Sequence, residues 1–96
     1  MPFRKEMQPY TRASLMAIRA DQIGVYGIFK GNIAVYIGSG DIRERLLGHF
    51  NGDNACIADL RPDHWAAEVI TASDLDARER AYIREYKPLC NRIVLK

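Results

Sequence analysis

The chain of 96 residues and 10.9 kDa is long enough for one small domain with a modest core. Its 48% hydrophobic and 27% charged residues are ordinary for a globular protein. The formal net charge of +2 is too small to indicate nucleic-acid binding by itself. No apolar run approaches the roughly 20 residues of a membrane span, and the N-terminal segment lacks the apolar stretch of a signal peptide. We therefore expect a cytoplasmic protein with no membrane partner.

The two cysteines, Cys56 and Cys90, lie far apart and belong to no C-x-x-C motif. No histidine stands near them at the spacing that a zinc site needs. We interpret both as reduced thiols, in or near the core of an intracellular protein.

Residues 1–22 are predicted to form an N-terminal extension. Pro2 and Pro9 interrupt its first part, and Thr11 can cap a short helix that runs to about Ala20. Three roles remain open for this extension: covering a sheet edge, mediating self-association or adding basic contacts.

Two runs rich in β-branched and aromatic residues follow, at 24–29 and 33–37, and Lys30-Gly31-Asn32 joins them. A three-residue link that contains Gly and Asn indicates a β-hairpin. Gly38-Ser39-Gly40 is then predicted to break the second strand.

A helix is predicted to begin at Asp41, because Asp41 and Glu44 form a capping-box pattern. Apolar residues at four-residue spacing form one stripe along this helix as far as Phe50. A further helical turn or two is predicted over 55–61, ending before Pro62.

The second half of the chain has a simpler pattern. Residues 64–71 are predicted to form a third strand. Ser73 and Asp76 mark the start of another helix, which runs to about Tyr86. The tail, 89–96, is predicted to be coil with a short extended end.

Glu79 is the most informative residue, because it falls on the apolar side of the last predicted helix. A carboxylate within an apolar stripe costs several kcal/mol unless it is paired, neutralised or bound to a metal. A buried ion pair, or a place at a partly wet edge, is the alternative to a metal site. The stripe around this glutamate consists of Leu75, Tyr82, Ile83 and Tyr86.

Arg45 and His49 are four residues apart and share one face of their predicted helix. The guanidinium could hold a phosphate or stabilise negative charge that develops on phosphorus. The imidazole could orient a water or carry a proton. The alternative is that Arg45 pairs with Asp41 and that His49 is merely interfacial.

Tyr26 and Tyr36, in the predicted hairpin, are candidates for a catalytic role, although strand aromatics are more commonly packing residues. Gly38-Ser39-Gly40, between a strand and a helix, also suggests a dinucleotide-binding turn. Arg43 stands where that motif needs its third glycine, and no parallel βαβ unit follows. The dinucleotide hypothesis is therefore rejected.

Taken in order, these segments resemble the GIY-YIG nuclease family. The matching pieces are Gly24-Val25-Tyr26, Tyr36-Ile37-Gly38, the helix from Asp41 with Arg45 and His49, Glu79-Arg80-Ala81-Tyr82-Ile83, and Lys87-Pro88-Leu89-Cys90-Asn91. Together they cover about residues 23–92. Each piece is short, and it is their number and order that make the resemblance specific.

The resemblance implies an α+β fold: a small three-stranded antiparallel sheet flanked by helices over 23–96, with an extra N-terminal helix. It also implies an endonuclease that cleaves phosphodiester bonds with one divalent metal ion, Mg²⁺ or Mn²⁺, bound by Glu79. The partner would be nucleic acid, DNA in preference to RNA, and a protein partner could supply targeting.

Catalytic roles follow from the same resemblance. Tyr26 would be the general base, and Arg45 would stabilise the pentacovalent transition state. Tyr36 and His49 would help to position the water and the phosphate. A free phenol has a pKa near 10, so a nearby cation or a metal-bound water must make Tyr26 useful near neutral pH.

Four more residues are predicted to contact nucleic acid or support the site. Gly38 would let the backbone approach the nucleic acid closely, and Asn91 would brace the site by hydrogen bonding. Ser39 and Arg43 complete this set.

The hairpin link and the step from Gly38 to Arg45 are both shorter than is usual in the family. A displacement of about 1 Å can cost roughly 100-fold in rate, so a non-catalytic nucleic-acid-binding module is the alternative, and a structural domain is the third hypothesis.

Overall fold

A computed structural model of the protein describes Phe3 and residues 6–91. The strands are β1 (Gln8–Pro9), β2 (Ile23–Lys30), β3 (Ile33–Asp41) and β4 (His64–Val69). The helices are α1 (Arg12–Met16), α2 (Ile42–Phe50), α3 (Ala55–Leu60) and α4 (Ala72–Tyr86), and a 3₁₀ turn covers Leu89–Asn91. The tail predicted to be coil over 89–96 begins instead with this 3₁₀ turn, and its predicted extended end lies outside the described residues.

The strands form one antiparallel sheet in the order β1-β4-β2-β3. The prediction of three strands is wrong, because Gln8 pairs with Trp65 and Pro9 pairs with His64. This short strand covers the edge of β4 that would otherwise expose unpaired backbone groups. Its two residues were too few to produce an alternating pattern in the sequence.

The predicted hairpin is confirmed, since β2 and β3 pair antiparallel around a loop of only two residues, Gly31 and Asn32. Gly31 has a φ of 58°, which glycine adopts without a steric penalty. The prediction that Gly38-Ser39-Gly40 ends the strand is wrong: β3 continues to Asp41, and Gly38 pairs with Tyr26. The backbone ladder with β2 outweighs the low strand propensity of glycine here.

The first two helices, α1 and α2, both begin at a residue whose side chain caps the helix. Asp41 accepts a hydrogen bond from the Glu44 N–H at 3.1 Å, as the capping pattern predicted. Thr11 accepts one from the Ser14 N–H at 3.2 Å. The helix that Thr11 caps ends at Met16, well before the predicted end, and the chain then turns toward β2.

Helices lie on both faces of the sheet, so the central strand β2 is apolar on both sides. One face packs against α1, α2 and α3 through a main cluster, and the other packs against α4 through a smaller one. Burial on both faces explains the unbroken run of buried residues from Gly24 to Phe29. The main cluster comprises Leu15, Tyr26, Ile28, Val35, Ile42, Leu46 and Ile57. Within the described residues, no helix has the length and apolar character to cross a membrane.

Phe3 ties the start of the chain into the α4 face. Its N–H donates to the Tyr86 hydroxyl at 3.0 Å, and its ring lies 4.4 Å from the Tyr82 ring, centroid to centroid. A Cβ on Gly27 would approach the Phe3 ring to 2.9 Å, so the absent side chain leaves the space that this ring needs. The predicted extension therefore contributes to the core of the domain.

Cys56 and Cys90 form a disulfide, with their Cα atoms 5.7 Å apart. The prediction of two reduced thiols is wrong. The pair joins α3 to the 3₁₀ turn, and these elements are neighbours only in the folded chain. A sequence separation of 34 gave no local signal of the pairing.

Candidate active site

Two phenols and an imidazole meet on the sheet face that packs against α2. Tyr26 comes from β2, Tyr36 from β3 and His49 from α2. The Tyr26 hydroxyl lies 2.8 Å from Nε2 of His49. Ring centroids are 5.0 Å apart for Tyr36 and His49, and 6.3 Å apart for the two tyrosines. The hairpin and the following helix thus bring three predicted site residues together.

Gly38 makes room for this arrangement. A Cβ at this position would collide with the phenol of Tyr26, which lies on the paired strand. The phenol of Tyr26 is fully buried, whereas Tyr36 is only half-buried. Glycine at position 38 is therefore required by packing inside the protein, independently of any nucleic acid.

His49 has a second partner that the sequence reasoning missed. Its Nδ1 lies 2.8 Å from Oδ1 of Asp53, while His49 itself is 5% exposed. Asp53 lies in the turn that follows α2. The signal that could have identified Asp53 is its i, i+4 spacing from His49. This spacing becomes informative only once the turn is known to fold back over the end of α2.

Arg45 lies beside the two phenols. Burial raises the pKa of Tyr26 and the pKa of Tyr36, and the nearby guanidinium opposes both shifts. Hydrogen bonding to the Tyr26 phenol in turn raises the pKa of Arg45. Asp41 caps α2 through its side chain. Among the described residues, Asp41 and Arg45 form no salt bridge, so the alternative of an Arg45–Asp41 pair is not observed.

Glu79 approaches the site from α4 and accepts a hydrogen bond from the Ser39 hydroxyl at 2.7 Å. Its charge contributes to the raised pKa of both Tyr26 and Tyr36. Among Phe3 and residues 6–91, no basic side chain forms a salt bridge with Glu79. The buried ion pair considered from the sequence is therefore absent from the described part of the chain, and the carboxylate is half-buried.

Asn91 contacts β3 at Ile37, the residue that follows Tyr36. Its side-chain Oδ1 accepts from the Ile37 N–H at 2.7 Å, and its Nδ2 donates to the Ile37 carbonyl at 2.9 Å. Arg43 is oriented differently: its Nη2 lies 4.0 Å from the sulfur of Met16 in α1. The structure thus places Asn91 at the site and Arg43 beside α1, away from the phenols.

Glu79 is the carboxylate that a divalent ion would bind here. The described residues contain no group of three His, Cys, Asp or Glu side chains that could enclose a metal. One Glu79 oxygen already accepts from Ser39, which fixes the carboxylate's orientation. Mg²⁺ commonly keeps several waters and uses one or two carboxylates. The donor set therefore fits a largely hydrated hard ion and does not fit a closed metal cage.

The fold of the chain is similar to that of a known endonuclease domain. No protein-family model matches the sequence, and no curated protein matches it significantly. Solved structures do match. The GIY-YIG N-terminal endonuclease domain of UvrC from Thermotoga maritima, bound to its catalytic divalent cation magnesium, superposes with a TM-score of 0.72. It is 20% identical over 83% of this chain and 93% of that domain.

Two point mutants of the same Thermotoga domain, each bound to the catalytic divalent cation, are equally similar. A tyrosine-to-phenylalanine mutant has a TM-score of 0.73 at 20% identity, over 85% of this chain and 94% of its own. An asparagine-to-alanine mutant has a TM-score of 0.71 at 18% identity, over 88% and 94%. The chain therefore has the α+β fold of the GIY-YIG superfamily.

Proposed function

We propose that this protein is a metal-dependent endonuclease that hydrolyses phosphodiester bonds in nucleic acid, with DNA preferred to RNA. The observation that carries the proposal is the convergence of Tyr26, Tyr36 and His49 on one sheet face. Arg45 and Glu79 lie close enough to influence both phenols. Phenol and imidazole groups can transfer protons, a guanidinium can stabilise negative charge on a phosphate, and a carboxylate can bind a metal ion.

The proton path begins at the attacking water. Tyr36 is the more exposed phenol, and we assign it the orientation of that water. Tyr26 accepts a proton from the water while its own proton passes to Nε2 of His49, 2.8 Å away. Because burial raises the pKa of Tyr26, a free phenolate is scarce near neutral pH, and a concerted transfer avoids forming one.

Charge on the phosphate is the second requirement. The hydroxide attacks phosphorus, the bond to the leaving oxygen breaks, and that oxygen takes a proton from solvent. Arg45 would neutralise the charge that accumulates on the equatorial oxygens. Glu79, held by Ser39, would bind one Mg²⁺ or Mn²⁺, and the ion supplies positive charge near the leaving oxygen when bound.

The remaining assignments rest on position. Asn91 would hold the strand that carries Tyr36 in place, and Ser39 would orient the carboxylate of Glu79. Arg43, at the start of α2, would contact the nucleic-acid backbone outside the cluster. A protein partner would supply targeting, and we propose the cytoplasm as the site of action.

The direct test is cleavage of plasmid, branched DNA and RNA with Mg²⁺, with Mn²⁺ or with EDTA. Glu79→Ala should abolish cutting, whereas Asp76→Ala removes an exposed acid of the same helix and should leave cutting intact. Tyr26→Phe and Tyr36→Phe, measured separately, should each lower kcat. Equal cutting by the Glu79→Ala protein, or no metal-dependent cutting of any substrate, would refute the proposal.

A non-catalytic nucleic-acid-binding module is the second candidate. The observation that favours it is the complete burial of Tyr26, whose side chain has no solvent-exposed surface. It predicts binding whose logarithm of affinity falls linearly with the logarithm of salt concentration, with every substrate left intact. Cleavage that depends on both Tyr26 and Glu79 would exclude it.

A further inference from the structure

We propose that Asp53 is a positioning residue that fixes His49 in the tautomer able to accept the proton of Tyr26. This inference rests on the proposed function for its catalytic consequence, and on the contact geometry alone for the tautomer. Asp53 belongs to none of the segments on which the family resemblance was built. Its place in the site emerges only from the way that the turn after α2 folds.

The three side chains form a continuous hydrogen-bonded line. Asp53 Oδ1 lies 2.8 Å from His49 Nδ1, and His49 Nε2 lies 2.8 Å from the Tyr26 hydroxyl. An ionised carboxylate can only accept hydrogen bonds, so Nδ1 must carry the proton. In neutral imidazole, Nε2 then has the lone pair, and the phenol is the donor. The carboxylate thereby sets the direction of the Tyr26–His49 hydrogen bond.

The turn after α2 is constrained to return Asp53 to this place. The Asp53 N–H donates to the Gly48 carbonyl at 3.2 Å, and the Gly52 N–H donates to the His49 carbonyl at 3.1 Å. Gly52 adopts a φ of 97°, which favours glycine. A Cβ on Gly48 would come within 3.0 Å of the Asp53 carboxylate. Two glycines therefore allow the carboxylate to close over the histidine.

The burial pattern fits a positioning role. His49 is almost completely buried, while the Asp53 side chain is 52% exposed. The carboxylate therefore stays in contact with solvent, while the imidazole is shielded from competing water. When Tyr26 passes its proton to Nε2, the resulting imidazolium lies between a phenol and a carboxylate. That negative neighbour stabilises the cation which the transfer creates.

The tautomer is measured on the metal-free protein without nucleic acid. Long-range ¹H–¹⁵N correlation spectra distinguish Nδ1–H from Nε2–H imidazoles, and His64→Gln assigns the signals of the two histidines. We expect His49 as the Nδ1–H form in the wild type and a shift toward Nε2–H in Asp53→Ala. An unchanged His49 tautomer in the folded Asp53→Ala protein overturns the inference.

The kinetic arm uses the cleavage assay. Asp53→Ala should lower kcat on the order of 10–100-fold, by analogy with the partners that orient metal-ligating histidines, with KM little changed. Asp53→Asn keeps an oxygen that can accept from Nδ1–H and should recover part of the rate. Asp59→Ala, which removes an exposed acid from α3, is the matched control and should cut normally.

The double variant separates positioning from general damage. Asp53→Ala should cost nothing further once His49→Ala has removed the imidazole, whereas a loss of equal size in both backgrounds overturns the inference. If the wild type cuts no substrate, the endonuclease proposal fails. The spectra still decide the Asp53–His49 relationship, so the two failures are distinguishable.

Discussion

Asn91 pairs with Ile37 as a neighbouring strand would, accepting from its N–H at 2.7 Å and donating to its carbonyl at 2.9 Å. β3 is an edge strand, so these two backbone groups would otherwise face solvent or another chain. Ile37 directly follows Tyr36, which means that the amide holds the backbone from which a site phenol projects. One side chain after the last helix thus both blocks the sheet edge and braces the site.

Replacing the Asn91 side chain should increase local opening of β3 without unfolding the whole protein. Asn91→Ala removes both hydrogen bonds, so we expect faster amide hydrogen exchange at Ile37 and a lower kcat. Asn91→Asp keeps the acceptor and loses the donor, and should give an intermediate effect on exchange. Exchange at Val25, in the central strand, is the internal reference. Unaltered exchange at Ile37 in Asn91→Ala would show that the amide contributes nothing to the edge.

The Cys56–Cys90 disulfide should stabilise the fold by anchoring the residue next to this brace. Closing a chain segment with a sequence separation of 34 is worth roughly 4 kcal/mol in the chain-entropy account. A thiol reductant should therefore lower the Tm of the wild type and speed exchange at Ile37. Cys56→Ser should have the lower Tm already and should not respond to the reductant. A wild-type Tm that is indifferent to reduction would contradict this prediction.

Local patterns predicted the elements that depend on neighbouring residues. The β2–β3 hairpin and the Asp41 cap are both confirmed, because a turn and a cap are specified by residues adjacent in the chain. The order of short motifs also predicted the superfamily fold, which the solved structures support. The roles of Tyr26 and Glu79 stay predictions, since a shared fold does not establish chemistry.

What the sequence did not predict depends on distant partners. β1 exists because β4 offers an edge, and Cys56 finds Cys90 because α3 and the 3₁₀ turn meet. Asp53 joins the site because a glycine turn closes back on α2. Neither the β1–β4 pairing nor the disulfide has a period or a spacing that could be recognised along the chain. The i, i+4 spacing of His49 and Asp53 is visible, but it becomes informative only once the turn is known to fold back.

Gly38→Ala tests whether the site depends on this close packing. The added methyl group collides with the buried Tyr26 phenol, and overpacking typically costs about 1–3 kcal/mol. Combining Gly38→Ala with Tyr26→Phe removes the oxygen that is nearest to the new methyl group, so denaturant unfolding should show that part of the stability returns. Gly31→Ala serves as the comparison, because a Cβ at this position has no atom within 4 Å. It should lower the free energy of unfolding only by the roughly 1–2 kcal/mol that a left-handed backbone costs a non-glycine residue. If the losses of unfolding free energy in Gly38→Ala and Tyr26→Phe simply add in the double variant, the added methyl group does not clash with the Tyr26 hydroxyl.

Tyr82 should make stability depend on alkaline pH. Burial, followed by its hydrogen bond to Glu68, raises the pKa of Tyr82 to about 12, whereas a free phenol titrates near 10. Between these values the unfolded chain has lost a proton that the folded chain keeps, so stability falls as pH rises through the window. Urea unfolding of the wild type should show a steeper decline there than Tyr82→Phe. Parallel pH curves for the two proteins would remove Tyr82 as the cause.

Arg45→Lys separates charge from geometry at the phosphate. Lysine keeps the positive charge, but it cannot form the two-pronged contact of a planar guanidinium. We therefore expect nucleic-acid affinity within a few-fold of the wild type, together with a kcat lower by roughly 100-fold or more, the range found when one transition-state donor is removed. Arg61→Lys makes the same exchange at an exposed position after α3 and should change neither quantity. The contrary outcome is that Arg45→Lys weakens binding as strongly as it slows cleavage. Arg45 would then bind the substrate in its ground state, and another residue of the cluster would have to stabilise the transition state.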